Sequence, residues 1–417
     1  MSKQLDMERL AKKARPFYGL PVWRWAVYRL TWWFISLLDV TWWRIKAKGH
    51  ESLPKDGSYL LLPTHATGLD PWLLAVALWR PLFFMASAQS LTHPILGPML
   101  KAMGAFPKVK YVKDKSSMKH MTDLYDNGQV VTIFPEGRRS WDGHVLKIMP
   151  GIGRTVKRMG ARVVICRMPG NTFLQPRWAK YPRWVPLEIE YEGPLTYPDD
   201  MSAEDITVDI ERRLQVVPKL RSGARTWMYR PAEGLTNFLW ACPRCKVTEA
   251  LRVVGRKGDR ISCRACGAGW RLDVQSRLHP LDGGPAITVR EAFEQLDSHF
   301  GPSPVQDPAR FEAHGIILRE AFARVHMIPR GGRSRIVAKG LLQLTKDRLQ
   351  VVAADGESEV WGVDVEDLVA VSVELGSRTQ VRSKDALYQL DAPGASVLKW
   401  GHFLKRWRFP EDPEPVG

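Results

Sequence analysis

Apolar and polar positions change rhythm several times along the chain. Over the first forty-five residues Trp and Phe recur at helical spacing with basic residues between them, and the longest apolar stretch, Leu30 to Leu38, is closed by Arg29 and Asp39. A spanning helix needs about 20 apolar residues. The pattern over 1–45 therefore predicts one or two amphipathic helices that lie in a membrane interface, or else a Trp-rich helix packed on its own domain. From 46 to 218 strand-like and helix-like runs alternate: Ser58–Pro63, Pro71–Leu78, Val130–Phe134, Gly151–Arg158, Arg162–Cys166 and Leu187–Tyr191. Such alternation predicts an α/β domain. A connector, 219–241, leads to a short cysteine-bearing module, 242–272. Next, 273–333 reads as a helical linker: Thr288 and Glu291 form a capping box opening a helix to about His299, and a second helix is expected from about Pro308 to Val325. Short β-rich runs fill 334–408, with turn signals at Asp355-Gly356 and Leu375-Gly376, and a closing helix spans about Ala395 to Trp407. The tail, 409–417, is expected to be disordered.

Length agrees with that division, since 417 residues exceed one ordinary domain. A mean hydropathy of -0.24 excludes a polytopic membrane protein. The 61 Lys and Arg against 44 Asp and Glu give a net charge of +17, which suits a phosphate-bearing partner, either nucleic acid or an anionic membrane. Trp placement separates the two. Trp23, Trp25, Trp32, Trp33, Trp42 and Trp43 fall in the first fifty residues together with ten basic and three acidic side chains, and Trp prefers the membrane–water interface. The charge therefore points to an anionic membrane surface, with nucleic acid a weaker candidate. The first residues lack a secretory signal pattern, so the expected location is the cytoplasmic face of the cell membrane, monotopic or peripheral.

Two segments could carry chemistry. In Leu60-Leu61-Leu62-Pro63-Thr64-His65-Ala66-Thr67-Gly68-Leu69-Asp70-Pro71 a histidine and an aspartate lie five apart at a strand-to-helix junction. His65 could take a proton from an attacking hydroxyl if Asp70 held its other N–H and fixed the tautomer. Equally, Asp70 before Pro71 makes an ordinary helix start. The second segment, Phe134-Pro135-Glu136-Gly137-Arg138-Arg139-Ser140, follows an apolar strand. There Gly137 permits close approach, the arginines suit phosphate, and Glu136 could accept from a substrate hydroxyl or hold a cation. Its alternative is a charged surface turn. Between them, Gly104-Ala105-Phe106-Pro107-Lys108-Val109-Lys110 is a further apolar-to-basic junction.

In this order and spacing the three segments resemble the glycerolipid acyltransferase family typified by 1-acylglycerol-3-phosphate acyltransferases, over about residues 45–217. The resemblance implies that His65 and Asp70 are the catalytic dyad, and that Lys110, Glu136, Gly137, Arg139 and Ser140 bind the acceptor. Two departures stand out. Lys110 and Val109 occupy the family's Arg and Asp positions, and the strand Val163–Arg167 lacks the usual proline. The implied activity is O-acyl transfer from acyl-CoA or acyl carrier protein to a lysophospholipid hydroxyl, 1-acylglycerol-3-phosphate first among them. Another glycolipid or aminolipid acceptor, or an inactive lipid-binding scaffold, are the alternatives.

Cys242-Pro243-Arg244-Cys245 and Cys263-Arg264-Ala265-Cys266 form two CxxC pairs at zinc-ribbon spacing. Four thiolates leave no open position, so a structural zinc is expected, with 249–254 and 260–262 pairing as a hairpin. The C-terminal run, with Trp400, Phe403 and Trp407 on its closing helix, resembles a PH/GRAM-like domain. The expected fold class is thus multidomain: an α/β acyltransferase domain with N-terminal interfacial helices, a small β zinc ribbon, and a C-terminal PH-like β-barrel with closing helix.

Overall fold

The structure is a computed structural model and describes residues 22–78, 80–87, 91, 96–108, 115–221, 223, 225–301, 304–329, 334–374 and 378–411. The chain divides into two compact units, Met1–Arg177 with Pro182–Met228, and Trp178–Tyr181 with Tyr229–Gly417.

The first unit begins with helix α1 (Val22–Leu38), which continues into a wider turn over Asp39–Trp43. Tyr28 and Ile35 of α1 are buried, and the Tyr28 hydroxyl donates to the Arg80 carbonyl at 2.5 Å. Trp23, Leu30, Trp33, Phe34 and Leu37 remain exposed. Among the described residues no helix is long and apolar enough to cross a membrane. The first twenty-one positions of the expected interfacial segment lie outside the described residues.

A seven-stranded sheet forms the centre of this unit, in the order β1-β7-β6-β2-β5-β3-β4. Its strands are β1 (Lys46–Lys48), β2 (Tyr59–Pro63), β3 (Leu82–Ser87), β4 (Phe106–Lys108), β5 (Val130–Thr132), β6 (Val163–Arg167) and β7 (Glu188–Leu195). All neighbours run parallel except β6 and β7. Central parallel strands are covered on both faces, which is why Leu60, Leu61, Leu62, Val130, Val131 and Val163 to Ile165 form nearly unbroken apolar runs. On one face Leu60, Leu62, Val131 and Ile165 pack with Ile152 and Val156 of α5 (Gly151–Met159) and Ile206 and Ile210 of α7 (Ala203–Leu214). Gly153 permits that helix pair, because a Cβ there would overlap the Ala203 carbonyl. The remaining helices of this unit are α2 (Asp70–Ala77), α3 (Leu96–Ala102), α4 (Lys115–Asp126) and the single turn α6 (Asn171–Leu174).

The second unit holds two antiparallel sheets. One has five strands in the order β12-β11-β10-β9-β8, comprising β8 (Leu251–Val254), β9 (Arg260–Cys263), β10 (Gly269–Leu272), β11 (Arg277–Pro280) and β12 (Ile287–Thr288). The expected hairpin forms, with Leu251 opposite Cys263 and Val254 opposite Arg260. The sheet runs on beyond Leu272, where helical linker was expected, because Arg277–Pro280 and Ile287–Thr288 add two strands. The capping box of Thr288 and Glu291 then opens α8 (Val289–Phe300). Helix α9 covers only Pro308–His314. The helix expected through Val325 gives way to β13 (Ile316–Ile328), since Gly315 takes a left-handed φ of 65° and stops the helix.

Strand β13 is the middle of a seven-stranded sheet ordered β16-β15-β14-β13-β19-β18-β17. Its other members are β14 (Arg335–Thr345), β15 (Arg348–Val352), β16 (Glu359–Asp364), β17 (Leu368–Glu374), β18 (Arg378–Ser383) and β19 (Leu387–Asp391). Among the described residues the sheet does not close into the expected PH-like barrel: β16 and β17 are the two ends of an open ladder, joined by the turn Val365–Asp367. Helix α10 (Val397–Arg408) buries Trp400, Phe403 and Leu404, while Trp407 is half-buried and its indole donates to the Lys346 carbonyl. Fully buried Lys399 donates to Glu320 of β13 and, at 2.5 Å, to Glu249 of the cysteine module, joining helix, sheet and module.

Candidate functional site

Three adjacent strands, β6, β2 and β5, each release a loop at the carboxyl end, the edge where open α/β sheets place their ligands. The loop after β2 carries His65 and Asp70, that after β5 carries Glu136 to Ser140, and that after β6 carries Asn171. Asp70 is 0% exposed. Its Oδ2 accepts from His65 Nδ1 (2.8 Å) and from the backbone N–H groups of Ala66 (2.9 Å) and Thr67 (3.0 Å), and its Oδ1 accepts from Asn171 Nδ2 (2.9 Å). Every partner other than the imidazole is an obligate donor, so Asp70 is an ionised acceptor and Nδ1 carries the proton. That tautomer leaves His65 Nε2 as a lone pair on a side chain 18% exposed.

The ring stacks on Phe134 with centroids 3.9 Å apart, and Phe134 stacks on Phe84 of β3. Burial pushes the His65 pKa below the usual imidazole range. The hydrogen bond and charge of Asp70 oppose the shift, while the charges of Arg139 and Arg177 add to it. The imidazole is therefore neutral, and able to accept a proton, at neutral pH.

Glu136 also joins the two loops to each other. Its Oε1 accepts from the His65 N–H (2.7 Å), its Oε2 accepts from the Leu146 N–H (2.9 Å), and it is 5% exposed. Each oxygen thus holds one backbone N–H, and Glu136 ties the His65 loop to the segment at Leu146. Burial pushes its pKa up to about 8 against the pull of the two backbone donors. The Ser140 N–H donates to the His65 carbonyl (2.9 Å), and its buried hydroxyl accepts from Gly143 N–H (3.0 Å), so Ser140 also serves the loops. Gly137 has a φ of 68°, and a Cβ there would meet the Met149 sulfur at 2.9 Å. Arg139 is half-buried, with its guanidinium against Gly68 on the His65 loop. Lys110 lies outside the described residues.

Two contributors escaped the motif reading. Asn171 fixes the second oxygen of Asp70 from 101 positions away. Arg177 lies over the face of Trp141 (4.4 Å) and donates to the Arg139 carbonyl (2.7 Å), which places two guanidinium groups near the dyad. Only the Gly-Asn pair after β6, a helix start behind an apolar strand, could have drawn attention to Asn171.

The four cysteines of the second unit converge. Cys242 and Cys266 sulfurs are 3.8 Å apart, Cys245 and Cys263 3.7 Å, and all four lie within 4.8 Å of one another. Both knuckles use the same turn: the N–H of Lys246 donates to the Cys242 carbonyl and that of Gly267 to Cys263, with φ of 63° and 74°. Metal–sulfur bonds of about 2.3 Å in a tetrahedron set sulfurs about 3.8 Å apart, so the four thiols fit a single four-coordinate metal ion with no open position.

The first unit thus presents an α/β sheet with a hydrogen-bonded His–Asp pair at its carboxyl edge. Residues 44–168 match the Acyltransferase family model. The segment is also similar to 1-acyl-sn-glycerol-3-phosphate acyltransferase of Bacillus subtilis (strain 168), 30% identical over 104 residues, covering 25% of this chain and 52% of that protein. It is similar to chloroplastic 1-acyl-sn-glycerol-3-phosphate acyltransferase LPAT1 of Arabidopsis thaliana as well, 28% identical over 137 residues, 32% of this chain and 38% of that protein. The chain spans about half the length of the first of these relatives and less of the second. Among solved structures, the LPA acyltransferase PlsC from Thermotoga maritima aligns over 46% of this chain and 78% of its own, with 19% identity and a TM-score of 0.40.

Proposed function

We propose that the chain is an O-acyltransferase that works at a membrane surface, moving a fatty acyl group from acyl-CoA or acyl carrier protein to the free hydroxyl of a lysophospholipid, 1-acylglycerol-3-phosphate above others. The observation that carries this reading is the His65–Asp70 hydrogen bond, with Asp70 held by three further donors and Nε2 left available. Neutral His65 takes the hydroxyl proton of the acceptor at Nε2 as that oxygen attacks the thioester carbonyl. The tetrahedral intermediate collapses with cleavage of the carbon–sulfur bond, and the departing thiolate receives the proton from His65. Asp70 stabilises the imidazolium between these steps. Arg139 and Arg177 supply positive charge for an anionic headgroup, and Lys110 is assigned there by its motif.

The exposed aromatic side of α1 would enter the headgroup region of an anionic leaflet on the cytoplasmic side, as Trp23, Trp33 and Phe34 are suited to do. In the second unit, zinc is the ion proposed for Cys242, Cys245, Cys263 and Cys266, in a structural role. The open sheet with α10 is read as PH-like. The test is transfer from radiolabelled acyl-CoA to lysophosphatidic acid in liposomes, wild type beside His65→Ala. Product from the wild type alone is expected. Equal product from both proteins would remove His65 from the reaction.

A further inference from the structure

The five-stranded sheet of the second unit is two-faced. Leu251, Ile261, Cys263, Trp270, Leu272 and Leu278 alternate toward the core and are all buried. The opposite positions carry Arg252 on β8, Arg260 on β9 and Arg271 on β10, all exposed. Register places Arg260 directly opposite Arg271, and Arg252 opposite Ser262, two residues from Arg260 on the same face. Like charges directly across two strands destabilise a sheet, so folding alone disfavours this ladder. The module does not neutralise it. Of the acidic side chains between 242 and 288, Glu249 pairs with Lys399, Asp273 with His279 and Asp282 with Arg244. Only Asp259 is left against Arg252, Arg256, Lys257, Arg260, Arg264 and Arg271, all six exposed and none engaged in an ion pair among the described residues.

We propose that this arginine face of β8, β9 and β10 is a docking surface for phosphate-bearing lipid headgroups, separate from the acyl-transfer site. The proposal rests on the reading of the chain as an enzyme of a lipid surface. Arginines on one face of three neighbouring strands suit a plane of phosphates, to which arginine can donate paired hydrogen bonds. Single-stranded nucleic acid would call for exposed aromatic platforms as well. This face has none, because Trp270 points into the core. Each basic side chain near an anionic leaflet strengthens binding about fivefold, so removing three should cost about a hundredfold.

The test is sedimentation of the full chain with phosphatidylglycerol–phosphatidylcholine vesicles and with phosphatidylcholine vesicles. Wild type is compared with the triple variant Arg252→Gln/Arg260→Gln/Arg271→Gln, after its bound metal per chain has been matched to wild type. The expected result is a preference for the anionic vesicles that weakens with added salt and falls about a hundredfold in the triple variant, while acyl transfer to a detergent-dispersed acceptor is unchanged. If the triple variant does not fold, the turn variant Arg256→Gln/Lys257→Gln should lose a smaller part of the same preference. Undiminished preference in a folded variant overturns the proposal. So does a loss of RNA or DNA binding with vesicle binding intact, which would reassign the face to nucleic acid. Transfer to the dispersed acceptor reports separately on the enzymatic reading, so either idea can fail alone.

Discussion

The chain buries two histidines beside aspartates and treats them in opposite ways. His65 donates Nδ1–H to Asp70 Oδ2 at 2.8 Å, and its side chain keeps 18% exposure. His402 is 1% exposed, its Nδ1 lies 3.4 Å from Asp297 Oδ1, and neither ring nitrogen has a hydrogen-bond partner among the described residues. The difference lies in where the carboxylate spends its charge. Asp297 accepts twice from Arg406 (2.8 and 2.9 Å), leaving His402 packed between Trp240 and Phe403. Among the described residues no Lys or Arg pairs with Asp70, which gives its best-placed oxygen to the imidazole. A buried histidine becomes a usable base only where a carboxylate fixes one nitrogen and solvent reaches the other.

The largest way to break the comparison is to remove the charge from each aspartate. Asp70→Asn should lower kcat by about 10²–10⁴-fold, because the amide must turn its NH2 either against the Asn171 amide or against Nδ1 of His65, and it brings no charge to stabilise the imidazolium. Asp70 also raises the His65 pKa, so its loss should move the acid limb of the kcat/KM profile to lower pH even as the rate falls. Asp297→Asn should leave transfer unchanged. Steady-state kinetics across pH on both variants decides this, and a normal rate in Asp70→Asn would remove the dyad.

A smaller effect tests the other histidine. Burial pushes the His402 pKa down to about 4, while an unfolded chain would titrate near 6.5. Between those values the unfolded chain takes up a proton that the folded unit refuses, so stability is full above about pH 6.5 and falls on acidification. The loss reaches about 3 kcal/mol near pH 4. Denaturant unfolding of wild type and His402→Leu from pH 7 to 4 checks this. Proton competition at the thiolates acts on both proteins, so only the difference between their slopes belongs to His402. Equal slopes would refute its buried, neutral state.

What the sequence revealed follows the range of the interactions. His65 and Asp70 lie within one loop, and the cysteine pairs within two short knuckles, so spacing pointed to the cysteines and, joined to the family resemblance, to the His–Asp pair. Glu136 was visible as a residue type, but its bonds to the backbone N–H groups of His65 and Leu146 were not, since only the fold brings those groups together. Asn171 was invisible, because nothing local marks an amide whose partner is 101 positions away. In the second unit, Gly315 carried the stop signal that separates α9 from β13, yet the apolar content of 316–325 fits either period and was read as helix.

Asn171 also offers the finest test of the dyad. Replacing it with Ala takes one donor from Asp70 Oδ1 and leaves the bond to His65 in place. A hydrogen bond to a charged group is worth about 1.5–3 kcal/mol, and only the part that orients Asp70 enters the rate, so kcat should fall roughly tenfold with KM unchanged. A carboxylate short of one donor is a stronger acceptor for the imidazolium. The acid limb should therefore move to higher pH in Asn171→Ala, opposite to its movement in Asp70→Asn. Opposite shifts from two neighbouring polar deletions would not arise from general loosening of the loop. A shift in the same direction for both would mean that Asn171 supports the fold but does not tune the base.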